Sequence, residues 1–434
     1  MEIHGDYRRE GGALTDNGKT PSGAQHDSAE RSSRQLVRLA DRQILLPVLR
    51  ANAAPYARLY ERARAQSGYA ECLCRTPPPK LVIRSRAGRF HLACWPGGGA
   101  EHAVDCDFHR LDALSGRSTY TQAAILETET GTTIRLDAAL TLRLAGSATI
   151  PTQSSPLPVE GIGRRTVGLL GLLHFLWEHA RLNIWRTGWR RNWANCYVQL
   201  SRPIQDCLIN RQDLTEALHV VPPYQPQTAF QTDAVFEAFV SRLIRQGKSG
   251  RRGLLLGELK SIAPTKYGAR VMLRHLRTPV FIALPLLERI QHKYRPAFSK
   301  VRADHSRQIA LLVVERTAKG NLSVVEAAVM LTNRAYVPGD SSYEVLMADH
   351  LIASGRSFLK PMHYDGGAVF PDFILTDVEP FCYVEVYGIT GRESYEERKR
   401  AKQNYYRSAG MSVIEWEVAA SLPPLTRTRP AARR

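Results

Sequence analysis

The 434-residue chain sets 59 Lys and Arg against 41 Asp and Glu, a net charge of +18, and 44% of its residues are hydrophobic. That is ordinary for a globular protein of two to four domains. It has no run of eighteen apolar residues and no apolar stretch in residues 1–33, so no membrane span and no signal peptide are expected, and a cytoplasmic protein with no membrane partner is expected. Seven Cys are too few for a disulfide framework. The charge favours a polyanionic partner, in such a protein usually nucleic acid.

The expected fold class is α+β and multidomain. Residues 1–33 are polar, Gly- and Ser-rich and without periodicity, which predicts a disordered N-terminus. Residues 34–70 carry apolar residues at helical spacing, with Pro47 and Pro55 as breaks, and predict a helical segment. Residues 71–112 hold Cys72 and Cys74, then His102 and Cys106, on either side of the hairpin-like "KLVIRSRAGRFHLACW". Three thiolates and one imidazole in two close pairs suit a structural tetrahedral Zn²⁺. Cys94, His91 and His109 are alternative ligands, and buried free thiols in a small β unit are the plain alternative.

Residues 113–226 combine strand-like segments, such as 132–146, with a Trp/Arg-rich helical region. The stretch 163–185 predicts one long amphipathic helix. If it continued, Trp185, Trp189 and Trp193 would share a face, with Arg186, Arg190 and Arg191 interleaved. That pattern suits base stacking and phosphate contact, and equally suits core packing beside a solvated Arg face. Residues 227–337 read as a basic mixed α/β domain. From Arg242 to Arg277, ten Lys or Arg stand against the single acid Glu258. Arg245, Lys248, Arg251, Arg252, Lys260, Lys266 and Arg270 are its candidate nucleic-acid contacts. Residues 338–420 form an acidic final domain, and 421–434 predict a disordered basic tail.

In that final domain "PDFILTD" and "CYVEVYG" are strand-like and flank the turn-like "VEP". A symmetric hairpin pairs positions that sum to 757 and sets Asp372 opposite Glu385, with Cβ atoms about 5 Å apart. Like charges at that distance repel by about 3 kcal/mol, which a bound Mg²⁺ or Mn²⁺ relieves. "SSYEVLMADHLIAS" predicts a helix with Glu344 on its apolar stripe, where an unpaired acid is costly. A second helix follows, with Tyr395, Arg398 or Lys399, Lys402 and Tyr406 on one face, and then the strand-like "MSVIEWEV".

This order over residues 340–418 resembles the PD-(D/E)XK nuclease superfamily and its restriction-endonuclease-like fold. The resemblance implies a Mg²⁺- or Mn²⁺-dependent DNA endonuclease. Asp372, Glu385 and the backbone carbonyl of Val386 would hold the metal, and Glu344 would be an outer or second-metal ligand. The superfamily Lys falls two residues after Glu385, where this chain has Tyr387. Branches that move the Lys onto the next helix resemble "EVYG" with Tyr395 and Lys402, so Lys402 is the implied catalytic cation and Lys399 its reserve. The blocks "CLC", "WPGGGAEH", "LLGLLHFLWEHARLNIW" and "PDFILTD" to "EVYG" resemble a family of uncharacterised proteins of bacterial conjugative and integrative elements. That context implies DNA as the partner. The competing expectation is a catalytically inactive, zinc-containing DNA-binding accessory or regulatory protein.

Overall fold

A computed structural model describes residues 36–86, 89–103, 106–109, 124–128, 130–143, 166–243, 245–246, 249–299, 303–362, 371–388 and 393–425. The expectations for residues 1–33, for Lys248 and for most of the basic tail lie outside them. Helices and sheets are mixed throughout, as an α+β fold requires, and no described helix is long and apolar enough to cross a membrane.

The first unit corrects the reading of residues 34–70 as helical. Strands β1 (Leu36–Leu39) and β2 (Arg42–Leu45) form a hairpin, and only then come α1 (Leu46–Ala51) and α2 (Ala57–Gln66). Pro47 and Pro55 sit in first helical turns, where a missing N–H costs nothing. Strands β3 (Tyr69–Cys72), β4 (Lys80–Arg86) and β5 (Arg89–Cys94) complete a five-stranded sheet in the order β2-β1-β3-β4-β5. The unit therefore begins near residue 36 rather than 71. Val37, Leu39, Leu49, Tyr60, Ala63 and Leu81 are its core.

Short strands follow: β6 (Ile125–Glu127), β7 (Thr132–Ile134) and β8 (Thr141–Arg143). The stretch expected as one helix is α3 (Leu169–His179), a turn and β9 (Ile184–Trp185). Left-handed residues Arg181 (φ 56°) and Gly188 (φ 81°) turn the chain twice. Trp185 thus lies in a strand, Trp189 in a turn, and Trp193 at the start of α4 (Trp193–Leu200), so they share no helix face. Next come β10 (Cys207–Ile209), β11 (Gln212–Asp213), α5 (Leu214–Ala217), β12 (Leu218–Val220) and α6 (Ala229–Ser241).

The basic segment builds the middle of the protein. Strand β13 (Arg245–Gln246) pairs with β14 (Ser249–Arg251), which pairs in turn with β8. The long β15 (Gly253–Thr265) pairs first with β18 (Ser306–Arg316) and, from Leu259 onward with a bulge at Leu259/Ser261, with β16 (Gly268–Leu273). Strand β17 (Val280–Ile282) pairs antiparallel with β16 and parallel with β19 (Leu322–Asn333), which returns to β18. The pairing β15-β16-β17-β19-β18-β15 closes on itself as a five-stranded barrel, with α7 (Leu284–Lys293) and α8 (Arg295–Phe298) between β17 and β18. A Cβ at Gly268 would lie 2.2 Å from the carbonyl oxygen of Ile282, so only glycine permits the approach of β16 to β17.

The final unit contains α9 (Ser342–Ala353), β20 (Phe358–Leu359), β21 (Phe373–Leu375), β22 (Cys382–Tyr387), α10 (Glu393–Ser408) and β23 (Ser412–Glu417). Its sheet order is β23-β22-β21-β20-β9, so the edge strand β9 comes from the Trp/Arg region. Helix α10 crosses between β22 and β23, which are parallel. Met347, Ala348 and Leu351 of α9 pack on Phe358, Phe373, Val384 and Trp416. Each fully buried apolar side chain contributes about 2 kcal/mol.

Candidate functional site

Two clusters of chemically active side chains stand out. The first is in the N-terminal unit. Cys72 ends β3, Cys74 follows in the turn, and the β4–β5 hairpin carries the chain round to His102 and Cys106. Cys72 Sγ lies 3.5 Å from Cys106 Sγ, and His102 Nδ1 lies 3.4 Å from Cys74 Sγ and 3.5 Å from Cys106 Sγ. Tetrahedral zinc with its usual bond lengths sets such atoms about 3.5–3.8 Å apart. The four ligand atoms all lie within 4.8 Å of one another. The backbone N–H groups of Ala103 and Phe108 donate to Cys74 Sγ and Cys106 Sγ, each at 3.4 Å, as suits thiolates. These four residues form a cluster able to hold a metal ion such as zinc. Cys94 and His91 lie outside it, and His109 bonds the His102 carbonyl through Nδ1 at 3.0 Å.

The second cluster lies on the C-terminal sheet. The β21–β22 register pairs Phe373 with Val384, Ile374 with Tyr383 and Leu375 with Cys382, each pair summing to 757. Asp372 N–H donates to the Val384 carbonyl at 3.1 Å, which extends the ladder to the Asp372–Glu385 position. Asp372 Oδ2 accepts the Val386 N–H at 2.7 Å. Glu385 is 1% exposed, and its carboxylate accepts Lys402 Nζ at 2.7 Å and the Tyr406 hydroxyl. Lys402 reaches back from α10 to Glu385, as the superfamily resemblance implies. Lys399 instead pairs with Glu417 and lies over the Tyr387 ring, while Tyr387 donates to Glu415 at 3.1 Å. The Tyr395 hydroxyl accepts the Gly388 N–H at 3.1 Å and anchors the entry to α10.

Glu344 occupies a neighbouring position rather than joining Asp372 and Glu385. Ser341 caps α9 by accepting the Glu344 N–H at 3.2 Å. Glu344 Oε2 accepts the Asp340 N–H at 3.0 Å and Lys360 Nζ at 2.7 Å. Lys360 also donates to Asp340 Oδ2 at 2.9 Å and lies over the Phe373 ring. It is 1% exposed, and Asn183 clasps its backbone through two bonds of 2.9 Å. The sequence reading missed Lys360. Its only local signal is a Lys within the apolar stretch "SFLKPM", directly after a two-residue strand.

Burial governs the ionisation of these groups. Desolvation, opposed mainly by Lys360, pushes the Asp372 carboxyl up to about 6 and the Glu344 carboxyl up to about 7. Desolvation likewise raises Glu385, against the pull of Lys402. Lys360 moves upward despite its burial, because Asp340 and Glu344 hold its proton. Among the described residues no three of these acids converge as the Cys/His set does. They form two carboxylate groups side by side: Lys360 bonds Asp340 and Glu344 and also acts on Asp372, while Lys402 bonds Glu385.

The expected nucleic-acid contacts divide. Arg191 donates to the carbonyls of Leu182 (2.6 Å), Ile184 and Ala335 (3.3 Å), and burial pushes its guanidinium down to about 10. It staples the α3–β9 turn. Arg186 lies over Trp189 and 3.9 Å from Asp107, whereas Arg190 is exposed. Arg251 pairs with Glu216 at 3.2 Å and Arg252 with Glu315 at 3.0 Å. Arg245 lies in β13, and Lys260, Lys266 and Arg270 are exposed on the barrel.

A family model described as a protein of unknown function, DUF1173, matches residues 44–419. The chain belongs to the DUF1173 family. Both the Cys/His cluster and the carboxylate–lysine site fall within the span that defines DUF1173. Comparison with curated proteins and with solved structures found no match.

Proposed function

We propose that this DUF1173 protein is a metal-dependent DNA endonuclease of a mobile genetic element, with Zn²⁺ as a structural ion. The observation that carries the reading is the triad of Asp372, Glu385 and Lys402: a half-buried and a buried acid opposed across one hairpin, with an ammonium 2.7 Å from the second. The order α9-β20-β21-β22-α10-β23, with β22 parallel to β23, supports the PD-(D/E)XK resemblance through topology as well as residue type. Charge supports it too. With all four carboxyls ionised, Asp340, Glu344, Asp372 and Glu385 bring four negative charges and Lys360 and Lys402 two positive, a balance of −2 that one divalent cation would cancel while displacing the protons that burial favours.

Asp372 and Glu385 fit Mg²⁺ or Mn²⁺, since carboxylates that burial makes proton-hungry also favour a hard cation. Such a cation supplies Lewis-acid polarisation of the scissile phosphate and a more acidic bound water. In this reading Lys402 orients the attacking water and stabilises the charge that develops on the phosphate oxygens. Tyr406 fixes the Glu385 carboxylate, and Glu344 holds Lys360 in place. Phosphodiester cleavage of DNA with Mg²⁺ or Mn²⁺ is expected, and its loss in Asp372→Ala and Glu385→Ala with the fold intact. Failure to cleave single-stranded, duplex or branched DNA with either metal sinks the reading. The competing reading, an inactive DNA-binding accessory protein, is favoured by Tyr387 at the usual Lys position. It predicts unchanged DNA affinity and element function in Asp372→Ala.

A further inference from the structure

The strand pairing of the central barrel has a specific consequence. In barrel order its strands run first, second, third, fifth, fourth and back to the first, and the third and fifth, β17 and β19, are parallel. Helices α7 and α8 fill the link between the third and fourth strands. This is the topology of the OB-fold, a five-stranded Greek-key barrel that takes oligonucleotides or oligosaccharides on the face of strands two and three. Fold alone assigns no ligand, so the side chains on that face must decide.

On β16, Ala269, Val271 and Leu273 point into the core and Arg270 points out. Arg270 stands opposite Phe281 of β17, which is half-buried, and Phe281 stands opposite Ser323 of β19. The β15–β16 turn carries Tyr267, 84% exposed, with Lys266 Nζ 5.2 Å from its ring centre. At the other end of the face the β18–β19 turn presents exposed Arg316 and Lys319. The register fixes this bracketing, because Ala269 pairs with Ile282 at one end of β17 and Val280 with Leu322 at the other. Neutral sugars would not call for four cations around two aromatic rings. Unpaired bases on a phosphate backbone do, since rings stack on bases and cations track the strand.

We propose that the β16–β17 face of this barrel, bracketed by Lys266–Tyr267 and Arg316–Lys319, binds single-stranded DNA. The assignment deepens the endonuclease reading, which supplies DNA as the partner: a barrel that holds one strand would deliver it unpaired to the carboxylate site. Stacking on Tyr267 and contact with Arg270 and Lys266 are its named interactions.

Fluorescence anisotropy of the zinc-loaded full chain with labelled oligothymidine of about 16 nucleotides, the upper site size for one such barrel, tests it. No Mg²⁺ or Mn²⁺ is added, so the result stands whatever the cleavage assay gives. The three residues are exposed, so their variants are expected to fold, and thermal unfolding checks this. Tyr267→Ala should weaken binding about fivefold or more with the salt dependence unchanged. Lys266→Ala/Arg270→Ala should weaken it further and lower the slope of log affinity against log salt by about 1.4, about 0.7 per lost phosphate contact. Tighter binding to duplex DNA or to oligouridine of the same length overturns the assignment, as does affinity within about twofold of wild type in both variants.

Discussion

Replacing Asp372 with Asn removes one charge while keeping an oxygen for the Val386 N–H. Burial raises the Asp372 carboxyl from its ordinary 3.8 to about 6. The folded protein therefore holds this proton more tightly than the unfolded chain. The associated stability is complete below the unfolded value and is lost as pH rises through about 6. At about 1.4 kcal/mol per pH unit, the loss at alkaline pH amounts to about 3 kcal/mol as a ceiling. Asp372→Asn should then stabilise the metal-free, zinc-loaded protein by up to about 3 kcal/mol at high pH, and far less near pH 4. Urea unfolding at a series of pH values, followed through a signal from the C-terminal sheet, reads this difference. A variant less stable than wild type at every pH refutes the reasoning, because it would make Asp372 a structural hydrogen-bonding residue with no electrostatic cost.

Lys360→Met should destabilise the fold by about 3–5 kcal/mol, because it strands buried Glu344 without its cation, and Glu344→Gln added to it should recover a large part. Equal stability of the single and double variants in urea contradicts that pairing. Purified protein should carry about one zinc per chain, held by a single four-ligand site, and Cys72→Ser should lose it together with ordered hydrogen exchange in residues 36–109. Less than about half an equivalent in the wild type rejects the zinc assignment. Lys402→Ala should abolish metal-dependent cleavage while Lys399→Ala keeps most of it, since Lys399 faces Glu417. The reverse ranking would make Lys399 the working cation.

The carboxylate hairpin was legible in the sequence because its pairing is local: a short turn leaves one symmetric register, and that register puts Asp372 against Glu385. Lys402 was legible because helical periodicity placed it with Tyr395, Lys399 and Tyr406 on one face and the resemblance to migrated-Lys branches singled it out there. Lys360 was not, since a single Lys after a two-residue strand carries no periodicity. Its partners Asp340 and Glu344 meet it only through the packing of α9 on the sheet. The β1–β2 hairpin was read as helix because "LVRLADRQIL" satisfies both spacings, and only pairing with β3 decides between them. Left-handed Arg181 and Gly188 broke the expected Trp stripe. The barrel was hidden for a deeper reason. Its closure joins β15 to β18 and β17 to β19, contacts between strands 40 or more positions apart that no local pattern records.

The account rests on Asp372 and Glu385 holding a divalent cation. Calorimetric titration of Mn²⁺ into zinc-loaded wild type and Asp372→Ala measures this directly. One saturable Mn²⁺ site in the wild type, absent from a folded Asp372→Ala, is the predicted result. No Mn²⁺ binding in the wild type, or equal binding in both proteins, would contradict the account.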